Sequence, residues 1–499
     1  MSVLLLLIFG PLFIAIAFLA SSRKRREQAS MIWRTYFNLY IVPGPKAYPL
    51  IGAVWQIKLN SAEFALQLMD WMKSFVFYDG SSGMFKVWLG PIPMVVVIKP
   101  AYCKQILESN TLITKATQYD KVTDTNEKWF GRRKMLTPSF HFQVLKGYHD
   151  IFIKQAQQIF AEQLEVHAET GREVNLFPFV KRCALDIICE TAMSTQLNSQ
   201  TGNSFEYADA VARLSDIIFN YEKSPWLWLK PIWYGSGKGF EFDRLVKMTT
   251  DFTRRVRRRQ TLIDEGSMED GAKLGKKSAF LDLMLLNQEK HGLSDEDIRE
   301  EVDTFMFEGH DTTSSGMAWT IWLLGQHPEY QAKVHEELDA IFGEDDSEPS
   351  EEDLKKCVYL EKCIKESHRL CPPVPVIARR LTHDLVLGEF TLPKDVTTML
   401  LVMGTHRDPE EWERPSSFYP DHFEPEAVAK RHPFAYFPFS AGPRNCTGQK
   451  FAIAEEKIVL SYFFRKYRVE SLSPMPGNRL VPELILKPEE GVLCHLFKR

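Results

Sequence analysis

Phe437-Pro438-Phe439-Ser440-Ala441-Gly442-Pro443-Arg444-Asn445-Cys446-Thr447-Gly448 stands directly before an apolar run (Phe451, Ala452, Ile453, Ile458, Val459, Leu460) whose three-to-four spacing predicts a helix over 449–466. Cys446 therefore falls at a helix amino terminus, where unpaired N–H groups and the helix dipole favour the thiolate. Such a sulfur is a candidate metal ligand or nucleophile. Gly442 and Gly448 admit a tight turn and close backbone approach, and Arg444 puts positive charge beside any anion held there. A lone cysteine in a loop is more often inert than reactive, so its surroundings must decide.

The chain has 499 residues, 61 basic against 65 acidic, a formal charge of −4 and 44% hydrophobic composition. That excludes a small stapled scaffold, a disordered chain and a polycationic nucleic-acid binder. Its eight cysteines are irregularly spaced and include no CxxC pair, which argues against a disulfide framework, a zinc ribbon or an iron–sulfur cradle. Free thiols suit a chain facing a reducing compartment. Residues 3–20 carry no charge and are followed by Arg23, Lys24, Arg25 and Arg26. At about 1.5 Å per residue the run reaches roughly 27 Å, enough for a thin bilayer. Positive charge on its carboxyl side predicts a membrane span with the rest of the chain in the cytosol, not a cleaved leader. Pro43, Pro45 and Pro49 predict a stiff elbow. The expected organisation is an anchor at 1–22, a basic stop and proline-rich hinge at 23–52, and one catalytic unit at 53–499 without internal repeats.

Helical periodicity dominates that unit: 101–115, 121–136, 142–168, 176–195, 205–222, 240–265, 278–289, 294–326, 328–342, 351–371 and 449–466. Short β-rich pieces at 85–89, 94–98 and 397–402 predict a minor sheet, so the class is mostly α with a small β region. The pattern at 294–326 opens on a Ser294-x-x-Asp297 cap and must cross the whole globule. In its middle Glu308, Asp311 and Thr312 share one helical face amid Phe305, Met306 and Phe307. Two carboxylates in such company are costly unless they pair or work. Gly309 leaves room for a bound molecule or a kink. Three other features carry no function: Gly235-Ser236-Gly237-Lys238-Gly239 lacks phosphate-loop spacing, the Asn445-Cys446-Thr447 sequon would face the cytosol, and the arginines at 254–259 read as a solvated or membrane-facing helix.

Phe439, Gly442, Arg444, Cys446 and Gly448 resemble the haem-ligand signature FxxGxRxCxG of the cytochrome P450 family, a chance match on the order of one in ten thousand. The resemblance implies the cytochrome P450 fold with an N-terminal transmembrane helix. It makes Cys446 the axial thiolate of haem b (iron protoporphyrin IX), packs Phe439 on the ligand's side of the porphyrin and directs Arg444 to a propionate. Thr447 stands where the family usually has an aliphatic residue. Phe307-Glu308-Gly309-His310-Asp311-Thr312-Thr313 resembles the family's oxygen-activation motif, with Asp311 and Thr312 as the acid–alcohol pair that relays protons. In the family-four branch the glutamate at the place of Glu308 can form an ester with a haem methyl, so an ester link is implied. Glu366-Ser367-His368-Arg369 matches ExxR; exposed, such a pair contributes only about 0.2–0.5 kcal/mol, but in the family it is buried and joined by a third partner, here His422 in place of the usual arginine, a weaker and pH-sensitive contact. Trp129 with Arg133, and Arg379, match the family's propionate-binding positions, with Arg380 the less favoured neighbour. Lys128, Arg132 and Lys134 fall off the face of Trp129 and Arg133, where they would dock an acidic electron donor or merely face solvent.

The activity so implied is haem-thiolate monooxygenation, inserting one oxygen atom from O2 into a lipophilic substrate. Family-four resemblance points to fatty-acid or related lipid hydroxylation near the chain end. Electrons would come from NADPH through a separate NADPH–cytochrome P450 reductase, with cytochrome b5 as a further donor, at the endoplasmic reticulum membrane; nucleic acid is not an expected partner. Two alternatives stay open on the residues: a haem-thiolate isomerase or dehydratase, which usually lacks the acid–alcohol pair, and a non-catalytic haem or lipid carrier.

Overall fold

A computed structural model of the chain describes residues 34–35, 37–48, 51–78, 82–116, 126–137, 145–158, 163–201, 205–264, 280–286, 288, 292–343, 348–473 and 479–499. The apolar run at 3–20, its basic flank and Pro49 lie outside them. Among the described residues no helix is long and apolar enough to cross a membrane.

Helices carry most of the chain: α1 (Ser61–Met72), α2 (Pro100–Leu107), α3 (Asn126–Leu136), α4 (His149–Gln158), α5 (Phe177–Ala192), α6 (Phe205–Glu222), α7 (Lys238–Asp264), α8 (Asp295–Gln326), α9 (Pro328–Phe342), α10 (Val358–Leu370) and α11 (Gln449–Lys466). The sheet region is small. Strands β1 (Met84–Leu89), β2 (Ile92–Val97), β3 (Val376–Arg380) and β4 (Thr397–Leu401) pair in the order β1-β2-β4-β3. Within it β2 and β4 are parallel, Met94 opposite Thr397, and the other pairs are antiparallel. Towards the carboxyl end come β5 (Tyr467–Ser471), β6 (Leu480–Pro482), β7 (Leu486–Pro488) and β8 (Leu493–Lys498). The sequence reading missed β3 and these late strands, although β5 and β8 bury alternate residues.

Helix α8 is the axis of the fold. Ser294 Oγ accepts from the Asp297 N–H at 3.1 Å while the Asp297 carboxylate accepts from the Ser294 N–H at 2.9 Å, the expected cap. The helix packs against α5, α10, α11 and α7, and Trp319 and Trp322 meet edge to face at 5.6 Å in the core. Two expected helices are shorter than their periodicity. The helix expected over 101–115 ends at Leu107 because Ser109 Oγ accepts from the N–H groups of Thr111 and Leu112, drawing the backbone out of the helix. The pattern at 351–371 breaks at Cys357, where the Glu337 carboxylate of α9 accepts from the Tyr359 and Leu360 N–H groups at 2.6 and 3.0 Å and caps α10. Upstream, Leu39 and Val42 are buried in a core cluster with Val95, Val97 and Leu400. The Pro43 carbonyl accepts from the Lys86 N–H at 2.7 Å, which seats the elbow on β1.

Behind the sheet α10 is locked to the chain that follows it. Arg369 donates to both carboxylate oxygens of Glu366 at 2.7 Å and to the carbonyls of His406, Pro415 and Ser417. Glu366 also accepts from the Tyr419 N–H at 2.8 Å, and His422 Nδ1 lies 3.1 Å from it. Both charges are fully buried, unlike an exposed helical pair. His422 occupies the expected third position, but a second guanidinium comes from Arg431, 3.6 Å from the Trp412 ring centre and donating to the His422 carbonyl. Burial pulls Arg431 down to about 10 against the charge of Glu366. Replacing Arg369 by Leu strands a buried carboxylate and is expected to cost about 3–5 kcal/mol. His422→Ala removes one contact of several and should cost about 1 kcal/mol. Thermal denaturation of both variants checks the ranking, and equal losses would show that the network does not centre on Arg369.

Candidate active site

Below α8 lies a cavity of about 550 Å³, walled mainly by apolar side chains such as Phe64, Trp71, Val96, Phe305 and Met399. Cys446, Phe439, Arg444, Gly448, Trp129, Arg133, Arg379, Glu308 and Thr312 all line it. Residues from 129 to 448 thus converge on one space. Asp311 and Gly442 stand behind its wall, and Glu366, Arg369 and His422 form the buried network described above.

The loop before α11 is tightly drawn. The Cys446 N–H donates to the Phe439 carbonyl at 2.9 Å and the Asn445 N–H to that of Gly442 at 3.1 Å. Gly442 has φ +68°, and a Cβ there would come within 1.9 Å of the Leu107 carbonyl oxygen, so glycine is required. At Gly448 the expectation needs correction: its φ of −84° is open to any residue, so the turn itself does not demand glycine. Among the described cysteines only Cys446 is exposed, and it lines the cavity. Burial and the Glu308 carboxylate push its thiol up to about 11, although the Gly448 N–H and Arg133 pull the other way. The helix terminus does not by itself make a thiolate here. A metal ion at the sulfur would, by displacing the proton outright.

A cluster of cations borders the same loop. Arg133 of α3 donates to the Asn445 carbonyl and to Asn445 Oδ1, both at 2.7 Å. Arg444 donates to the Ile113 carbonyl at 3.1 Å and sits 3.6 Å from the Trp129 ring centre. Arg379 of β3 is buried and donates to the Ala378 carbonyl. Burial, together with Arg379 and Arg133, pulls Arg444 down to about 10. Lys115 is held down by burial and by Arg444 and Arg379, with Glu308 opposing. Crowding like charges in this way is unfavourable unless an anion offsets it. The arrangement fits an iron porphyrin: a thiol on the cavity wall for the metal and cations beside it for two propionates. Lys115 was missed because no motif marks it; a bridge to Arg379, far away in sequence, places it beside the cluster, and it lines the cavity. Arg132 departs from the reading as a docking residue. It is buried and pairs with Asp297, Glu300 and Glu301 of α8, so it clamps α3 to that helix.

Opposite the cluster α8 presents Glu308 and Thr312. Glu308 acts on Cys446, Arg133 and Lys115, so it projects towards the same space. Thr312 Oγ1 donates to the Glu308 carbonyl at 2.7 Å. Gly309 lines the cavity, as expected of a residue that leaves room there, and a Cβ on it would meet Ile188 Cδ1 at 2.6 Å, so the glycine also lets α5 approach. Asp311 is buried with Lys181 of α5 at 3.1 Å. That pair lies at ion-pair distance without hydrogen-bond alignment, and neither carboxylate oxygen has a hydrogen-bond partner among the described residues. Burial alone would raise Asp311, but Lys181, Lys487 and His310 outweigh it and hold the carboxyl at about 2.

The profile of the cytochrome P450 family matches residues 42–495. The chain is similar to cytochrome P450 4V2 of Homo sapiens, 41% identical over 473 residues that cover 91% of this chain and 89% of that protein. It is also similar to cytochrome P450 4c3 of Drosophila melanogaster, 39% identical over 92% of this chain and 89% of that protein. A third relative, cytochrome P450 4F2 of Homo sapiens, is 36% identical over 82% of each chain. Matches of this extent, on a helical fold that gathers the thiol, the cations and the carboxylate–hydroxyl helix around one cavity, place the chain in the cytochrome P450 family of haem-dependent monooxygenases.

Proposed function

We propose that the chain is a microsomal monooxygenase that hydroxylates fatty acids or related long-chain lipids near the chain end. The observation that carries this reading is the facing of Cys446 and Thr312 across one largely apolar cavity. Cys446 would hold the iron of haem b through its sulfur; Trp129, Arg133, Arg379 and Arg444 would hold its propionates; Phe439 and Gly448 would pack on the ligand side; and Glu308 would form an ester with a haem methyl, a two-electron oxidation with dioxygen as the oxidant. When bound, the haem supplies activation of dioxygen with two electrons and two protons, so that one oxygen atom enters a carbon–hydrogen bond and the other leaves as water. The electrons come from NADPH through a separate NADPH–cytochrome P450 reductase, with cytochrome b5 as a further donor.

Asp311 and Thr312 move the protons. The Thr312 hydroxyl donates to the Glu308 carbonyl, leaving its lone pairs for the cavity. To pass a proton inward it must release that carbonyl and be resupplied. Asp311 is ionised beside Lys181, so it resupplies Thr312 only after turning away and taking up a proton from solvent water. Residues 1–22 anchor the chain in the endoplasmic reticulum membrane, 23–52 form the basic stop and hinge, and 53–499 form the cytosolic catalytic domain. Exposed Trp55, Leu59, Trp226, Leu229, Ile232 and Phe240 support a membrane-facing side on that domain.

Turnover of a lipid extract with reductase and NADPH is expected to give products heavier by one oxygen atom, and no such product would overturn the reading. Thr312→Ala should keep NADPH oxidation but lower product per NADPH about tenfold or more, with peroxide released instead; unchanged coupling would remove Thr312 from the relay. Cys446→Ala should abolish the red-shifted Soret band of the reduced carbon-monoxide complex, and its persistence would unseat the ligand. Denaturing extraction should leave haem on the wild type and release it from Glu308→Ala; complete release from the wild type rules out the ester.

Lys181→Met leaves Asp311 buried without its nearest cation. The variant is expected to be about 3 kcal/mol less stable at pH 7, with the deficit shrinking towards pH 5 as Asp311, no longer held down, takes up a proton. In the wild type that carboxylate is held at about 2, below its ordinary 3.8, so the stability it contributes is present throughout this window and is lost only as pH falls below that ordinary value. Denaturant unfolding at the two pH values checks this, and a deficit independent of pH would free Asp311 from Lys181.

A further inference from the structure

Away from the Cys446 loop the cavity wall contains a buried ammonium that meets only neutral acceptors. Lys223, directly after α6, is 4% exposed and lines the cavity. Its Nζ donates to the Leu59 carbonyl at 2.6 Å and to Ser61 Oγ at 2.9 Å, and it lies 5.1 and 5.8 Å from the ring centres of Phe219 and Phe64. Among the described residues no carboxylate is within ion-pair distance of it. The ammonium has three N–H donors, and two are used. Burial lowers Lys223 to about 8; Asp216 and Glu483 support its charge from a distance and Lys238 opposes it. At pH 7 it is therefore a cation held in an apolar wall, where an unpaired charge is unfavourable and an added carboxylate would be bound strongly.

The remaining basic groups on the wall are employed elsewhere. Arg132 is neutralised by three carboxylates of α8, and Lys115, Arg133, Arg379 and Arg444 belong to the cluster at Cys446. The charges that act on Lys223 are Asp216, Glu483 and Lys238, whereas those that act on Cys446 are Glu308 and Arg133. The two cationic regions share none of these charge partners. The cavity wall also carries apolar Leu68, Val87, Ile218, Phe305 and Ile485. Lys223 is also fastened to Leu59, whose exposed side chain belongs with Trp55, Trp226 and Leu229 to the apolar outer surface. An anion held by Lys223 would thus sit beside the chain that carries that outer surface, with its hydrocarbon among the apolar lining of the cavity.

We propose that Lys223 is the head-group anchor of this cavity, a specificity-determining residue that selects long-chain monocarboxylates and points their far ends at the Cys446 side. The proposal rests on the lipid-hydroxylase reading above and deepens it: it supplies a reason why the carbon far from the carboxylate is the one attacked.

The test uses the haem-loaded full chain at pH 7, with palmitic acid and methyl palmitate as probes and equilibrium binding read from the substrate-induced spectral change. Wild type should bind the acid about 10- to 100-fold more tightly than the ester. Lys223→Met should lose that preference while keeping its affinity for the ester, Lys223→Arg should retain the preference, and product from Lys223→Met should spread inward from the terminal carbon. Equal binding of acid and ester by wild type, a result that needs no variant, would overturn the anchor while leaving the lipid reading intact. So would an undiminished preference in Lys223→Met. Binding of neither probe would overturn the lipid reading, and the anchor with it.

Discussion

The structure depends on how the Cys446 loop is held. A thiol that is to meet a metal must sit at one place and angle, and the loop carrying it is anchored by Phe437, buried in a core cluster with Ala441 packed against it. Closer to the sulfur it is fixed by backbone contacts and arginines. Gly442 presses against the Leu107 carbonyl at the end of α2, Arg133 of α3 grips Asn445 twice, and Arg444 reaches back to the Ile113 carbonyl while resting on Trp129. Two arginines expected only to meet propionates therefore also splint the loop, which couples ligand geometry to the docking of α3. That helix is in turn clamped to α8 by Arg132. Sulfur, cation cluster and oxygen-side helix are tied through α3.

Charge is distributed along the cavity with similar economy. Near Cys446 cations predominate, lowered by burial and by each other, an arrangement that makes sense only around an added dianion. On α8 the carboxylates divide. Glu308 stays on the wall, Asp297, Glu300 and Glu301 are spent on Arg132, and Asp311 is withdrawn behind the wall to Lys181. Withdrawal places it 3.1 Å from Lys181, and Lys181, Lys487 and His310 together offset the burial of its charge.

Legibility followed the range of each interaction. Cys446, Arg444 and Gly442 lie within one turn of chain, and Glu308, Asp311 and Thr312 within one turn of helix, so spacing alone assembled them. Glu366 and Arg369 were equally plain, but their worth was not: burial turned a pair of small value into the hub of a network. What stayed hidden was long-range. Lys181, Arg431, Lys115 and Lys223 carry no motif, and each acquires its role from a partner far away in sequence. Arg132 was misjudged for the same reason, since a basic residue on a helix reads as solvated until the opposing acids of α8 are known. Helix ends failed where a side chain intervened, Ser109 at the close of α2 and Glu337 at the start of α10. Periodicity does not register a capping group from another element.

Helix α8 has to remain helical through Gly309 while presenting polar groups to an apolar cavity, and hydroxyl back-bonding reconciles the two. Thr312 donates to the Glu308 carbonyl at 2.7 Å and Thr313 to that of Gly309 at 2.9 Å. These bonds strain the regular ladder locally, as i−4 hydroxyl contacts do, just where glycine already weakens it. The surrounding packing holds the segment: Ile188 of α5 fills the space beside Gly309, and Glu455 of α11 accepts a second contact from Thr313 at 3.2 Å. Burial and the neighbouring Glu456 drive Glu455 well above the ordinary carboxylate range, with the Thr313 hydroxyl pulling the other way. The turn around Gly309 thus carries two hydroxyl back-bonds and is held by the packing of Ile188 and the contact to Glu455.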